Sequence, residues 1–415
     1  EEKDPNISFL NRLEKRRGEE NTIYYLWDDE TNTLKNTTNE IKEVVYNFYE
    51  KLYTRELEDE NHQIEFLDAI DKSLNIPDKN LTNTPLTEAN LFESLKNMND
   101  DKSPGPDGLS KEWYLHFWIF IKGDFMNCVR EIENVEELSE MQKRGGVKIS
   151  YKKGDRKLIK NYRPITLLNV DLKIITKTLA DRMVTILPKI VHPNQTCVPG
   201  RHIENNIFLT QDLIDHANLT NRNLALIFLD QEKAFDRMSH NFIFKTLERF
   251  GFGEYFIKWV KTICFDTKSF VKVNGYQTFE FNTERGVRQG CPLSPLLYVL
   301  AAETLSSSIR KNILIKGYIY RMQNLHPVQH IINQYADDTN VAVTDMSSVR
   351  QLFITLGKYE KATNAKVNKD KTEALWVGNW KGRQDTPLNL KWTSDTIKFL
   401  GIVIGNKVGP NGHLS

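Results

Sequence analysis

Cysteine is scarce. Four cysteines occur in 415 residues, Cys128, Cys197, Cys264 and Cys291, with no CxxC pair and no histidine at zinc-ligand spacing. A disulfide framework and a structural zinc are thereby excluded, and a reducing, intracellular setting is expected. Long apolar runs are absent too. None approaches the roughly 20 residues of a membrane span, and the charged start Glu1-Glu2-Lys3-Asp4 is no signal peptide. Internal repeats and low-complexity segments are also lacking, so no repeat architecture is expected.

Net charge is almost missing as well, at +1. That balance argues against a nucleic-acid binder until its distribution is read. From Lys143 to Arg182 there are twelve Lys/Arg against three Asp, and acidic stretches such as Glu131 to Glu140 mask the excess. What the chain does have is 40% hydrophobic residues, enough at this length for two or three packed subdomains, and a composition that excludes wholesale disorder.

Residues 1 to about 95 read as mainly helical and polar, with Ile41, Val44, Val45, Phe48, Tyr49 and Leu52 spaced for one amphipathic helix. This part shows no evident chemistry. Asp101-Lys102-Ser103-Pro104-Gly105-Pro106-Asp107-Gly108 forces consecutive turns before a helix opening near Ser110. Strand edges at Lys148 to Tyr151 and Arg163 to Asn169 flank a basic tip, Lys152-Lys153-Gly154-Asp155-Arg156-Lys157, and an amphipathic helix then stops before Pro188. A helix over Asn206 to His216 precedes Leu224-Ala225-Leu226-Ile227-Phe228-Leu229-Asp230, an apolar run of strand length that predicts a strand buried on both faces and ending in an acid.

Downstream, Ile and Val flank Tyr335-Ala336-Asp337-Asp338, which predicts two antiparallel strands joined by a tight turn. An Asp-Asp pair alone marks a solvated turn more often than a metal site. Asp230 changes the balance, because strand ends adjacent in one sheet can bring three carboxylates together. Such a set could hold two Mg²⁺ ions, hard cations that prefer carboxylate and phosphate oxygens. Phe235 follows Asp230 where the chain leaves the strand, and could stack under a nucleotide sugar or be core. Arg285 to Pro295 pairs Gly286 and Gly290 with Arg288 and Gln289, so a backbone that can approach a base pair closely stands beside hydrogen-bond donors. Lys152, Lys153 and Arg163 suit a triphosphate. Lys371 could serve as general acid, and Phe399-Leu400-Gly401-Ile402 as an apolar grip or an edge strand.

In order, these segments resemble the reverse transcriptase domain of non-LTR (LINE-type) retrotransposons, in particular the LINE-1/Tx1 group. The resemblance is carried by Lys152 to Lys157 with Asn161 to Ile165, by Leu229-Asp230 through Ala234-Phe235-Asp236, by Arg288 to Pro295, by Tyr335-Ala336-Asp337-Asp338, by Lys366 to Lys371 and by Phe399-Leu400-Gly401. Gln195 through Gly200-Arg201 is similar to the family's Q-T-G-F-x-x-G-R segment, with Cys197-Val198 where Gly-Phe is usual. Upstream, Leu13 to Arg16, Phe48 to Tyr53 and Ser103 to Gly108 resemble the family's amino-terminal extension.

The resemblance implies an α+β right-hand polymerase. A helical extension over 1–100 and the start of the fingers over 101–144 would precede fingers and a palm of antiparallel sheet plus helices over 145–404. A truncated tail follows at 405–415, with the thumb largely absent. It implies catalysis by Asp230, Asp337, Asp338 and Lys371, two Mg²⁺ ions held by Asp230, Gln231, Asp337 and Asp338, dNTP binding by Lys153, Arg163, Phe235 and Gln289, and template or primer contacts from Arg201, Gly290, Phe399, Leu400 and Gly401. The partners implied are an RNA template, a DNA primer or target and dNTPs, with no membrane, and with an endonuclease domain and a thumb elsewhere in a longer polyprotein. Action on chromosomal DNA implies the nucleus, otherwise the cytoplasm. The expected activity is RNA-directed DNA synthesis. The alternatives are a non-processive fragment that binds RNA or an RNA/DNA hybrid, and a group II intron-type maturase.

Overall fold

The computed structural model describes residues 22–320 and 327–407. Helix and sheet are mixed, and the most apolar strand organises one half of the molecule. Leu224–Leu229 is buried at every position. Its period of two splits it cleanly: Ala225, Ile227 and Leu229 enter one core, while Leu224, Leu226 and Phe228 enter another on the opposite face. Antiparallel neighbours flank it, Asp338–Val343 on one side and Glu373–Val377 on the other. Ile332–Tyr335 and Lys391–Thr393 complete the five strands. Helices Val170–Ile190, His240–Phe250, Ser294–Lys311 and Met346–Thr363 supply the first core. Helix Ile203–Leu219 and the hairpin Thr396–Phe399/Ile402–Gly405 supply the second.

A second sheet places Arg144–Tyr151 between Tyr162–Leu167, antiparallel, and Lys268–Val273, parallel. Helix Thr38–Tyr53 covers it through Ile41, Val44, Val45, Tyr49 and Leu52, the spacing seen in the sequence. A capping box of Thr37 with Glu40 starts that helix.

One expectation needs revision and another gains detail. The mainly helical amino-terminal part also carries a hairpin, Leu26–Asp28 with Thr33–Lys35. Pro188 does not stop its helix, which continues to Ile190. In the last turn proline forfeits only one N–H bond, and the carbonyls of Pro188 and Val191, left over where the helix ends, are taken by the Arg201 guanidinium. Leu13 to Arg16, and most of the 405–415 tail, lie outside the described residues.

At the far edge of the five-stranded sheet, the fully buried Trp376 stacks on Trp392 with ring centroids 3.7 Å apart, and the Arg383 guanidinium lies 4.7 Å from its ring. Trp376→Ala should lower stability by about 3–5 kcal/mol through lost burial and the cavity left behind. Urea titration checks this; a change under about 1 kcal/mol would mean that the site collapses around the smaller residue.

Candidate active site

Register brings the three acids together. Leu229 pairs with Thr339 and Tyr335 pairs with Asp338, so Asp230, one residue beyond Leu229, emerges beside the turn Ala336-Asp337. Ala336 holds φ +52, the left-handed region, which costs a non-glycine residue about 1–2 kcal/mol. Burial pushes the Asp337 carboxyl above the usual carboxylate range, Asp230 adds to the effect, and Lys152 and Arg163 oppose it. Asp338 is driven up to about 6 by burial and by Asp337, again against Lys152 and Arg163. This mutual repulsion, with all-oxygen donors, fits a hard divalent cation. A different acid group, Glu137, Glu140 and Asp266, has ligand atoms within 4.8 Å of one another, but Lys143 Nζ already bonds all three and none of them lines the cleft.

Asp230 and Asp337 open into a cleft of about 1210 Å³, and Asp338, next along the strand, is not in its lining. One wall carries Lys152, Lys153 and Arg163, and the lining also takes in Gln231, Phe235, Gln289, Gly290 and Lys371. Phe235 stacks on Tyr298 at 4.4 Å, and the Tyr298 hydroxyl donates to Gln231 Oε1 at 3.0 Å, so the ring is backed by a pinned neighbour. Phe48 and Lys51 of helix Thr38–Tyr53 also reach the cleft. The amino-terminal part, in which the sequence shows no evident chemistry, is therefore a wall of the site.

Gln289 Nε2 donates to both Asp236 carboxylate oxygens, at 3.2 and 3.1 Å, and the Tyr53 hydroxyl donates to the same carboxylate at 2.9 Å. Lys233, at φ +50, donates its Nζ to the Tyr162 carbonyl, and burial brings it down to about 8 despite Asp236. Tyr53 and Asp236 were missed as site residues. Asp236 had a signal, standing six residues after Asp230; Tyr53, so distant in sequence, had none.

Burial pushes Asp236 up to about 6, against Lys233, Tyr53 and Gln289. Its folded-state value thus lies above its ordinary one, so the ionised form costs stability at neutral pH and the cost fades as pH falls through that value. Asp236→Asn removes the titration. The parent should gain about 1 kcal/mol relative to Asp236→Asn between pH 7 and pH 5 in urea titrations. A pH-independent difference would show that the carboxyl titrates normally.

Comparison with known proteins decides the family. The profile of the family described as reverse transcriptase (RNA-dependent DNA polymerase) matches residues 151–404. The chain belongs to the reverse transcriptase family. It is 33% identical over 405 residues to the transposon TX1 uncharacterized 149 kDa protein of Xenopus laevis, covering 97% of this chain and 30% of that protein. It is 30% identical over 172 residues to the Pol polyprotein of the type-1 retrotransposable element R2 of Popillia japonica, 40% of this chain and 24% of that protein. A probable RNA-directed DNA polymerase from transposon BS of Drosophila melanogaster is 23% identical over 369 residues, 84% of this chain and 39% of that protein. The chain thus spans well under half the length of these relatives.

Two readings of this reverse transcriptase chain change with the structure in hand. The Arg201 guanidinium is turned inward, Nη1 donating to the carbonyls of His192 at 2.6 Å and Gln195 at 2.8 Å, Nη2 to those of Pro188 and Val191 at 3.0 Å each. It clamps a helix end, where the sequence reading had placed it on the template. Phe399 is buried against Phe228 at 5.2 Å, and the turn of its hairpin is made by Leu400 at φ +49, half-buried against the same core, and the exposed Gly401 at φ +87.

Gly290 and Gly286 make their close approaches to protein. A Cβ at Gly290 would stand 2.3 Å from the Thr166 carbonyl oxygen, and one at Gly286 2.5 Å from that of Asp236. Either glycine is needed whether or not a base pair also lies near.

Among the described residues, no helix is long and apolar enough to cross a membrane.

Proposed function

We propose that this chain is the polymerising part of a non-LTR retrotransposon protein, extending a DNA 3′-hydroxyl on an RNA template with dNTPs. The observation that carries the reading is three carboxylates at adjoining strand ends, two of which, Asp230 and Asp337, open into one cleft with Lys153 and Arg163 on its wall. In this reading the five-stranded sheet is the palm and the sheet around Arg144–Tyr151 belongs to the fingers. Asp230, Asp337 and Asp338, with Gln231 beside them, would hold two Mg²⁺ ions, which when bound make a primer hydroxyl more acidic and offset charge on departing pyrophosphate.

The chain's own groups do the positioning. Lys153 and Arg163 bind the triphosphate by charge-assisted hydrogen bonds. Phe235 lies under the sugar and leaves no room for a 2′-hydroxyl. Gln289, its amide nitrogen held by Asp236, turns its carbonyl oxygen away from that carboxylate. Lys371 donates a proton to the leaving pyrophosphate. Leu400 and Gly401 abut the primer strand. An endonuclease and a thumb belong to the rest of the polyprotein, and priming on chromosomal DNA places the work in the nucleus.

The test is Mg²⁺-dependent extension of a DNA primer annealed to an RNA template, with dNTPs and rNTPs in parallel. Extension with dNTPs is expected. Preferential use of rNTPs would overturn the reading, as would hybrid binding without any extension.

A further inference from the structure

The catalytic turn is strained, and one side chain from a remote segment holds it. With Ala336 at φ +52, the Ala336 N–H leaves the strand ladder and is accepted by Gln195 Oε1 at 3.1 Å. The same oxygen accepts the Cys197 N–H at 3.1 Å, so one amide carbonyl serves two backbone donors. Gln195 is 2% exposed and cannot swing away.

Its own backbone is fixed on every side. The Gln195 N–H donates to the His192 carbonyl at 3.0 Å, and the Gln195 carbonyl accepts Arg201 Nη1 at 2.8 Å. The segment also pairs onto the outer edge of strand Ile332–Tyr335. Gln334 N–H donates to the Asn194 carbonyl and Thr196 N–H to the Gln334 carbonyl, both at 2.9 Å, while Asn206 Nδ2 donates to that Gln334 carbonyl at 2.8 Å. The hairpin edge, which would otherwise present unpaired backbone, is thus closed by a short parallel bridge. Rigid backbone on both sides leaves the two-residue turn as the part free to relax, and the Gln195 carbonyl is what meets it.

We propose that Gln195 is a positioning residue for nucleotidyl transfer, acting through the Ala336 N–H to keep Asp337 aimed at Asp230. The inference rests on the polymerase reading above. Without the acceptor, the buried N–H is unsatisfied and the turn can relax out of the left-handed region, carrying the Asp337 carboxylate with it. Gln195→Met keeps the length and removes the oxygen. Ala336→Gly makes the positive φ free of strain, so it should compensate in the double variant.

Three measurements on the full chain separate the outcomes: the extension rate constant, Mn²⁺ affinity read by electron paramagnetic resonance without substrate, and the melting temperature. Gln195→Met should lower both the rate constant and the Mn²⁺ affinity about tenfold, with Gln195→Met/Ala336→Gly regaining most of each. Unchanged Mn²⁺ affinity, or a loss that follows the melting temperature alone and is not recovered by Ala336→Gly, would overturn the proposal. Failure of the parent to extend any primer would instead count against the polymerase reading, because the Mn²⁺ measurement does not depend on turnover.

Discussion

Asp337→Ala should abolish primer extension, by at least about 10³-fold in single-turnover rate, without destabilising the protein. The two halves of that expectation have one cause. Asp337 sits in the turn with Asp338 following it and Asp230 beside it at the adjoining strand end. Burial raises the proton affinity of Asp337 and Asp338, and repulsion adds to it, from Asp230 on Asp337 and from Asp337 and Asp230 on Asp338. Removing one acid relieves that repulsion, so the melting temperature should hold or rise while catalysis disappears. A trade of stability for a charged site is the usual mark of functional residues. Residual extension at more than a tenth of the parent rate would remove Asp337 from the catalytic set. A sharp drop in melting temperature would show that it is structural instead.

Phe235→Ala should cost little stability and shift nucleotide selection by about 10²-fold toward rNTPs, the scale on which a close steric contact discriminates. The ring cannot retreat to admit a 2′-hydroxyl, because Tyr298 lies against it at 4.4 Å and is itself tied to Gln231. Competition between dATP and rATP on one template measures the ratio. An unchanged ratio with a lower melting temperature would return Phe235 to the core.

The parts of this site that were legible in sequence share a physical character. Asp230 and Asp337 interrupt or end apolar strand patterns, and charge at such a place has few explanations. The Leu224–Leu229 run announced a strand buried on both faces because each of its residues is apolar, and the two cores it joins show why. What could not be read was contact across sequence. Gln195 opens a segment similar to the family's, but its part shows only when its oxygen is found on the Ala336 N–H, and that of Tyr53 only when it reaches Asp236. Arg201 and Phe399 misled for the opposite reason: an arginine and an aromatic in a nucleic-acid protein suggest contact with a strand, whereas here they satisfy carbonyls and fill a core.

Arg285 ties the matched domain to residues that precede it. It is 1% exposed, its Nε donates to the Leu52 carbonyl at 2.8 Å and its Nη2 meets Glu56 at 2.8 Å. The family match begins at residue 151, well after both partners. A fragment trimmed to that boundary would keep every carboxylate and lose the two groups that make a buried guanidinium tolerable. What keeps this charge at ease therefore reaches back to the helix Thr38–Tyr53, well ahead of the residues that carry the chemistry.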